Sequence, residues 1–111
     1  MPKILPLAFS IAALLAAPAA QALTDREHLV KWCTGTSSVA AGRCIGYLLA
    51  AEDALSADSV EGVRACLPRD TGLQQQHKIV VDWLEANPDA ASGTALGLVA
   101  RAYAQHFPCS K

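Results

Sequence analysis

Thr71-Gly72-Leu73-Gln74-Gln75-Gln76-His77-Lys78-Ile79-Val80-Val81-Asp82-Trp83-Leu84-Glu85-Ala86-Asn87-Pro88 decides the fold class. Leu73, His77, Val80 and Leu84 recur at i, i+4, i+7 and i+11, and Ile79 and Trp83 widen the same stripe. That period is helical and predicts an amphipathic helix ending at Ala86. Thr71-Gly72-Leu73-Gln74 has the form of a capping box, with Thr71 as the cap and Gln74 reaching back. Asn87-Pro88 predicts a stop followed by a restart. Asn87 suits a cap, and Pro88 suits the first helical position, where a missing N–H costs nothing.

Working toward the C-terminus, the next helix is expected from about Pro88 to His106. Ala95, Leu98 or Val99, Ala102 and Tyr103 form its inner side, and Phe107-Pro108-Cys109 ends the domain. Small residues, among them Ala90, Ala91, Gly93 and Gly97, favour tight interhelical contact there. Working back, Ser56 to Pro68 reads as loop: Val60, Val63 and Leu67 can face inward, but Gly62 and Pro68 interrupt any long element.

A further helix is expected from Ser37 or Ser38 to about Leu55, with Cys44, Tyr47 or Leu48, Ala51 and Leu55 as its stripe. Gly42 and Gly46 stand four apart on one side. Each glycine costs the helix ~1 kcal/mol relative to alanine, so the spacing predicts a neighbouring helix in close approach. The first helix opens at Thr24-Asp25-Arg26-Glu27, read as a capping box with Thr24 as cap and Glu27 returning. Leu29, Trp32 and Cys33 share one face before Gly35-Thr36. No strand-like alternation of useful length appears. The expectation is an all-α, small disulfide-stapled helical bundle of four to five helices.

The chain has 111 residues. Met1 to Lys3 is a short positive start, Ile4 to Ala17 is apolar, Pro18 breaks the run, and Ala20-Gln21-Ala22 fits small-x-small cleavage. Residues 1–22 therefore read as a cleavable signal peptide, and 23–111 as a single domain in an oxidising space, expected to be a bacterial periplasm. A membrane anchor would need roughly 20 apolar residues, and no later segment offers them. Nine Lys and Arg stand against ten Asp and Glu, and Lys3 is the sole charge within 1–22. A slightly acidic balance excludes a basic nucleic-acid binder and offers no cationic face to an anionic membrane.

Cys33, Cys44, Cys66 and Cys109 permit three pairings. Nearest neighbours would pair Cys33 with Cys44 and Cys66 with Cys109. Chain entropy assigns ~4 kcal/mol to the longer loop against ~3 for the shorter. No Cys-x-x-Cys supports a redox or metal site. His28, His77 and His106 have no ligand-like companions. His77 lies on the apolar stripe, where a hydrogen-bonded structural role is expected, and His28 and Glu27 are expected at the surface. Asp53, Asp58, Glu61, Asp82, Glu85 and Asp89 read as solvated surface or caps. No nucleophile elbow or phosphate-cradling glycine pattern occurs. The residues imply no enzyme, cofactor or metal. What remains is a protein that acts by presenting a surface. Arg69-Asp70-Thr71 with Gln74-Gln75-Gln76 is the contact stretch the sequence suggests, and Arg69, Asp70, Gln74 and Gln75 are its expected partner-binding residues.

Seven segments in order carry a resemblance: Cys44-Ile45-Gly46-Tyr47-Leu48, Ala51-Glu52-Asp53-Ala54-Leu55, Cys66-Leu67-Pro68, Thr71 to Gln74, Val80-Val81-Asp82-Trp83-Leu84, Asn87-Pro88-Asp89 and Phe107-Pro108-Cys109. Together they resemble the Rap/Tai-type immunity proteins of bacterial type VI secretion systems, across about Leu29 to Cys109. The resemblance implies a periplasmic all-α protein, often a homodimer, that binds a peptidoglycan amidase effector and covers its catalytic groove. Two departures are Asn87-Pro88-Asp89 where the family usually shows His-Pro-Glu, and Leu67 where a bulkier apolar residue is usual; both suit the same fold. The main rival is a small periplasmic acid-stress chaperone, whose loosening at low pH two disulfides would oppose. A carrier of a small apolar ligand is less compatible with the alanine- and glycine-rich helices.

Overall fold

Asp25, not Thr24, caps the first helix: its side chain accepts from the His28 backbone N–H at 3.2 Å. Both residues are good caps, and the start shifts by one. Glu27 therefore lies in the first helical turn, where it suits the helix dipole. The computed structural model describes residues 24–110 and places four helices there: α1 (Arg26–Thr34), α2 (Ser38–Ala57), α3 (Leu73–Ala86) and α4 (Ala95–His106). The signal-peptide reading falls outside the described residues. The all-α expectation holds, at the lower of its two helix counts. Ser37 caps α2 by accepting from Ala40 N–H at 3.1 Å.

Two capping expectations and one boundary are corrected. Gly72 holds the cap position of α3 with no side-chain bond. The Thr71 hydroxyl instead donates back to the Pro68 carbonyl at 2.7 Å, closing the preceding turn. Pro88 does not start α4; residues 87–94 are irregular, and Thr94 caps the helix by accepting from Gly97 N–H at 3.1 Å. Long-range bonds explain why the local Asn-Pro signal loses. The Arg26 guanidinium donates to the carbonyls of Leu84, Asn87 and Ala90 at 2.7, 2.8 and 2.8 Å. It satisfies the end of α3 and the following turn from across the molecule. At the other end, Glu61 accepts from the Thr94 hydroxyl and from Thr94 N–H.

Glu61 reaches α4 from a tight turn in the 58–72 connection. Val60 and Val63 exchange backbone bonds at 2.9 Å, while Glu61 (φ 51°) and Gly62 (φ 80°) both take the left-handed region. Gly62 is suited to that conformation; Glu61 is held in it by its bonds to Thr94. Gly93 takes the left-handed region (φ 86°), which favours glycine, and a methyl group on Gly97 would displace the Glu61 carboxylate from its present position. Glu61 thus acts as a remote cap for α4 rather than as freely solvated surface.

The core gathers Leu29 and Cys33 from α1, Cys44, Leu48, Ala51 and Leu55 from α2, Ile79, Val80, Trp83 and Leu84 from α3, and most of α4 around Leu98, Val99 and Tyr103. Burial of each such large side chain stabilises the fold by about 1.5–3 kcal/mol. Val60 is buried and Val63 and Leu67 half-buried, as the loop reading expects. Both nearest-neighbour disulfides form. Cys33–Cys44 joins α1 to α2, and Cys66–Cys109 ties the middle connection to the segment after α4. Beside the second, Cys66 N–H donates to the Phe107 carbonyl at 2.9 Å.

Candidate functional site

The connection from Cys66 to Gln76 is held at several points. Its first residue is disulfide-bonded, Thr71 N–H and hydroxyl both return to Pro68, and Gln76 Nε2 donates to the Thr71 carbonyl at 3.1 Å. Gln76 is buried, which corrects its reading as an exposed polar residue. Its Oε1 accepts from the Tyr103 hydroxyl at 2.7 Å, so a polar chain crosses the core from α4 through α3 to the loop. Burial pushes the Tyr103 hydroxyl well above the usual tyrosine range, with a smaller contribution from Glu52.

Arg69, Asp70, Gln74 and Gln75 are all exposed, but Arg69, Gln74 and Gln75 open onto three different hollows. Arg69 borders a depression of about 320 Å³ with Glu52, Leu55 and Arg64. Gln74 borders an apolar notch of about 240 Å³ between α1, α2 and the start of α3. Gln75 stands on the rim of a groove of about 570 Å³ between α3 and α4, floored by Ile79, Trp83 and Ala102. Asp70 lies in the turn after Pro68. These four side chains share a segment rather than one concave site.

The notch is floored by the Cys33–Cys44 disulfide and Leu48 and rimmed by Ile45, Leu73 and Trp32. His77 closes one side, its Nε2 bonded to the Cys33 carbonyl at 2.7 Å; an Nε2–H tautomer makes the ring a donor. This is the structural bond expected of His77, although the side chain is exposed. The notch continues onto an open face of α2. Among the described residues, the exposed large apolar ones are Val39 (62%), Ile45 (38%), Leu49 (43%) and Leu73 (38%), and three of these belong to α2. Gly42 and Gly46 lie between them and have nothing within 4 Å of an added Cβ. The close neighbour expected for that glycine pair is absent among the described residues, because α2 buries its opposite side. The sequence signal for this face was present: α2 is apolar around most of its circumference, whereas a helix with one covered side turns polar residues to the other.

Charge is sparse there. Arg43, Glu52 and Asp53 are the only charged residues of α2, and the Arg43 guanidinium lies 5.3 Å from the centre of the Trp32 ring. Elsewhere, His28 bonds Asp25 at 2.8 Å and holds its carboxyl below the usual range, and Asp82 beside Lys78 raises the ammonium. Among the described residues no group of three or more His, Cys, Asp and Glu could hold a metal ion, and no helix is long and apolar enough to cross a membrane.

Fold and surface together define the class: among the described residues, a four-helix bundle, doubly braced by disulfides, that leaves one apolar helix face open. The chain belongs to the Rap1a immunity protein family, whose model matches residues 25–109. No curated protein and no solved structure gives a significant match.

Proposed function

We propose that this protein is a periplasmic immunity protein that binds a peptidoglycan amidase effector of a type VI secretion system, occludes its catalytic groove and acts as a homodimer. The observation that carries this reading is the family match over residues 25–109, which spans all four helices and both disulfides. The export pattern in residues 1–22 and the two disulfides fit an oxidising compartment. Inhibition by occlusion needs a surface ordered before contact, since ordering a loop on binding costs affinity. The segment from Cys66 to Gln76, tied at both ends, fits that requirement, and Arg69, Asp70, Gln74 and Gln75 are its proposed contacts.

The test is co-production in the periplasm of an indicator cell with a peptidoglycan amidase effector of the same cell's type VI secretion system. The exported protein rescues cells from lysis, and a version lacking residues 1–22 does not. Lysis unaffected by the exported protein would refute the reading. Suppression of unrelated aggregation near pH 3, without protection, would replace it with the chaperone. Replacing Arg69, Asp70 and Gln74 together by alanine weakens amidase binding and leaves the melting midpoint nearly unchanged. Undiminished binding would move the contact elsewhere.

A further inference from the structure

We propose that the Cys66–Cys109 disulfide is a redox clasp: a dithiol reductant opens it while Cys33–Cys44 stays closed, and opening frees the segment from Arg64 to Asp70 with the four helices still folded. The consequence for binding rests on the contact role proposed above for that segment.

The two disulfides differ in access and in charge. Cys33 and Cys44 are only 4% and 1% exposed. The notch above them is lined by apolar side chains, Gln74 and His77, with no lysine or arginine. A thiolate entering there loses hydration and meets no fixed positive charge in return. Cys66 is exposed and Cys109 half-buried. Cys66 opens into the hollow that Arg64 and Arg69 border, where Glu52 is the one carboxylate. Among the described residues neither arginine takes part in an ion pair. Both guanidinium charges are therefore free to draw an anionic thiolate to the disulfide.

One thiolate of the dithiol attacks Cys66 Sγ, the bond to Cys109 Sγ breaks, and Cys109 leaves as a thiolate that takes a proton from water. The second thiol of the reductant, deprotonated, attacks the reductant's own sulfur in the mixed disulfide. It expels Cys66 as a thiolate, which is protonated in turn. The cystine gains two electrons and two protons, and the dithiol loses the same and becomes a disulfide.

The clasp carries most of what holds this segment. Residues 64–70 lie outside every helix, and Ala65 is their one buried side chain, a small one. The bond from Cys66 N–H to the Phe107 carbonyl is the one backbone hydrogen bond that ties them to a helix or helix cap among the described residues. On either side the chain is fixed without the disulfide. Glu61 is held by Thr94, and the Thr71 carbonyl by Gln76. Opening is thus a local release between two anchored points, and a segment no longer ordered before contact binds more weakly.

The oxidised chain is titrated with dithiothreitol, trapped with iodoacetamide and mapped by mass spectrometry. Cys66 and Cys109 are alkylated at least roughly tenfold faster than Cys33 and Cys44. Arg64→Gln slows that step about twofold, and the difference shrinks at high salt. In the singly opened protein the helical circular dichroism is retained. Hydrogen exchange speeds up at the Cys66 amide and stays slow at Val80 and Leu98. The same protein binds the amidase effector at least roughly tenfold more weakly than the oxidised one. Equal reduction of the two disulfides, or Cys33–Cys44 opening first, overturns the clasp. Loss of helix on opening, or an unchanged Cys66 amide, overturns the local release, and an unchanged rate in Arg64→Gln overturns the part given to the arginines. Undiminished binding by the opened protein overturns the control of contact. A chain that binds no amidase in either form refutes the function proposed above, while the alkylation order and exchange pattern still decide the clasp.

Discussion

Cys44, Leu48, Ala51 and Leu55 lie buried along one side of α2, while Val39, Gly42, Gly46 and Leu49 lie open along the other. The two sides differ little in chemistry. What separates them is what the rest of the chain brings. Cys33 binds covalently to the first side, and Tyr103 packs at the level of Leu48, whose carbonyl its hydroxyl meets at 3.5 Å. Nothing among the described residues reaches the second. Substitutions on the inner side should therefore lower stability and those on the outer side should not.

Leu48→Ala gives the largest effect. It leaves a cavity at a fully buried position and costs about 3–4 kcal/mol, read as a lower denaturant midpoint with an unchanged slope. Leu49→Ala, one residue along on the outer side, changes the midpoint by less than about 0.5 kcal/mol when measured on the monomer. Equal losses at the two positions would mean that the outer side is covered within the monomer.

Removing the brace on the inner side comes next. Cys33 and Cys44 close a loop with a sequence separation of 11, and replacing both by alanine costs about 3 kcal/mol in the chain-entropy model. Calorimetry of the double variant checks this. The nearest-neighbour pairing was legible because consecutive cysteines flank helix ends that the hydrophobic stripes had already located. The stripes themselves were legible because a 3.6-residue period needs only local sequence, as at Val80 and Leu84.

The start of α4 was not legible, and neither was the cover over Gly42 and Gly46. Asn87-Pro88 is a sound local start signal, but carbonyls taken by Arg26 and an N-terminus capped by Glu61 come from distant residues that no local pattern connects. A Gly-x-x-x-Gly spacing states that close approach is permitted; it does not state that a neighbour in the same chain makes it. The contact segment at residues 69–75 was visible as exposed polar sequence. Its division among three hollows depends on how α2, α3 and α4 pack.

Tyr103→Phe has a smaller effect at neutral pH, about 1–3 kcal/mol, from leaving Gln76 Oε1 buried without its donor. It also carries a pH signature. The hydroxyl's folded value lies above its unfolded value of 10.0, so its neutral form is favoured in the fold. Its contribution is fully present below pH 10 and is lost as pH rises beyond that, because the unfolded chain ionises first. The wild-type melting midpoint therefore falls on the alkaline side of pH 10, and Tyr103→Phe removes that part of the fall. Lys78, whose exposed pair with Asp82 is also lost at high pH, contributes little, so Lys78→Ala leaves most of the fall in place. A wild type and a Tyr103→Phe variant with the same alkaline slope would show that Tyr103 ionises without unfolding.

Gly46→Ala is the smallest change and the sharpest test of the comparison, because its sign is opposite. An alanine methyl group at this position meets nothing within 4 Å. The substitution removes backbone freedom from the unfolded chain and adds a better helix former, worth about 1 kcal/mol of added stability at an exposed helical site. In the monomer the melting midpoint rises. A fall in monomer stability would place a neighbour over α2 and make its two sides alike.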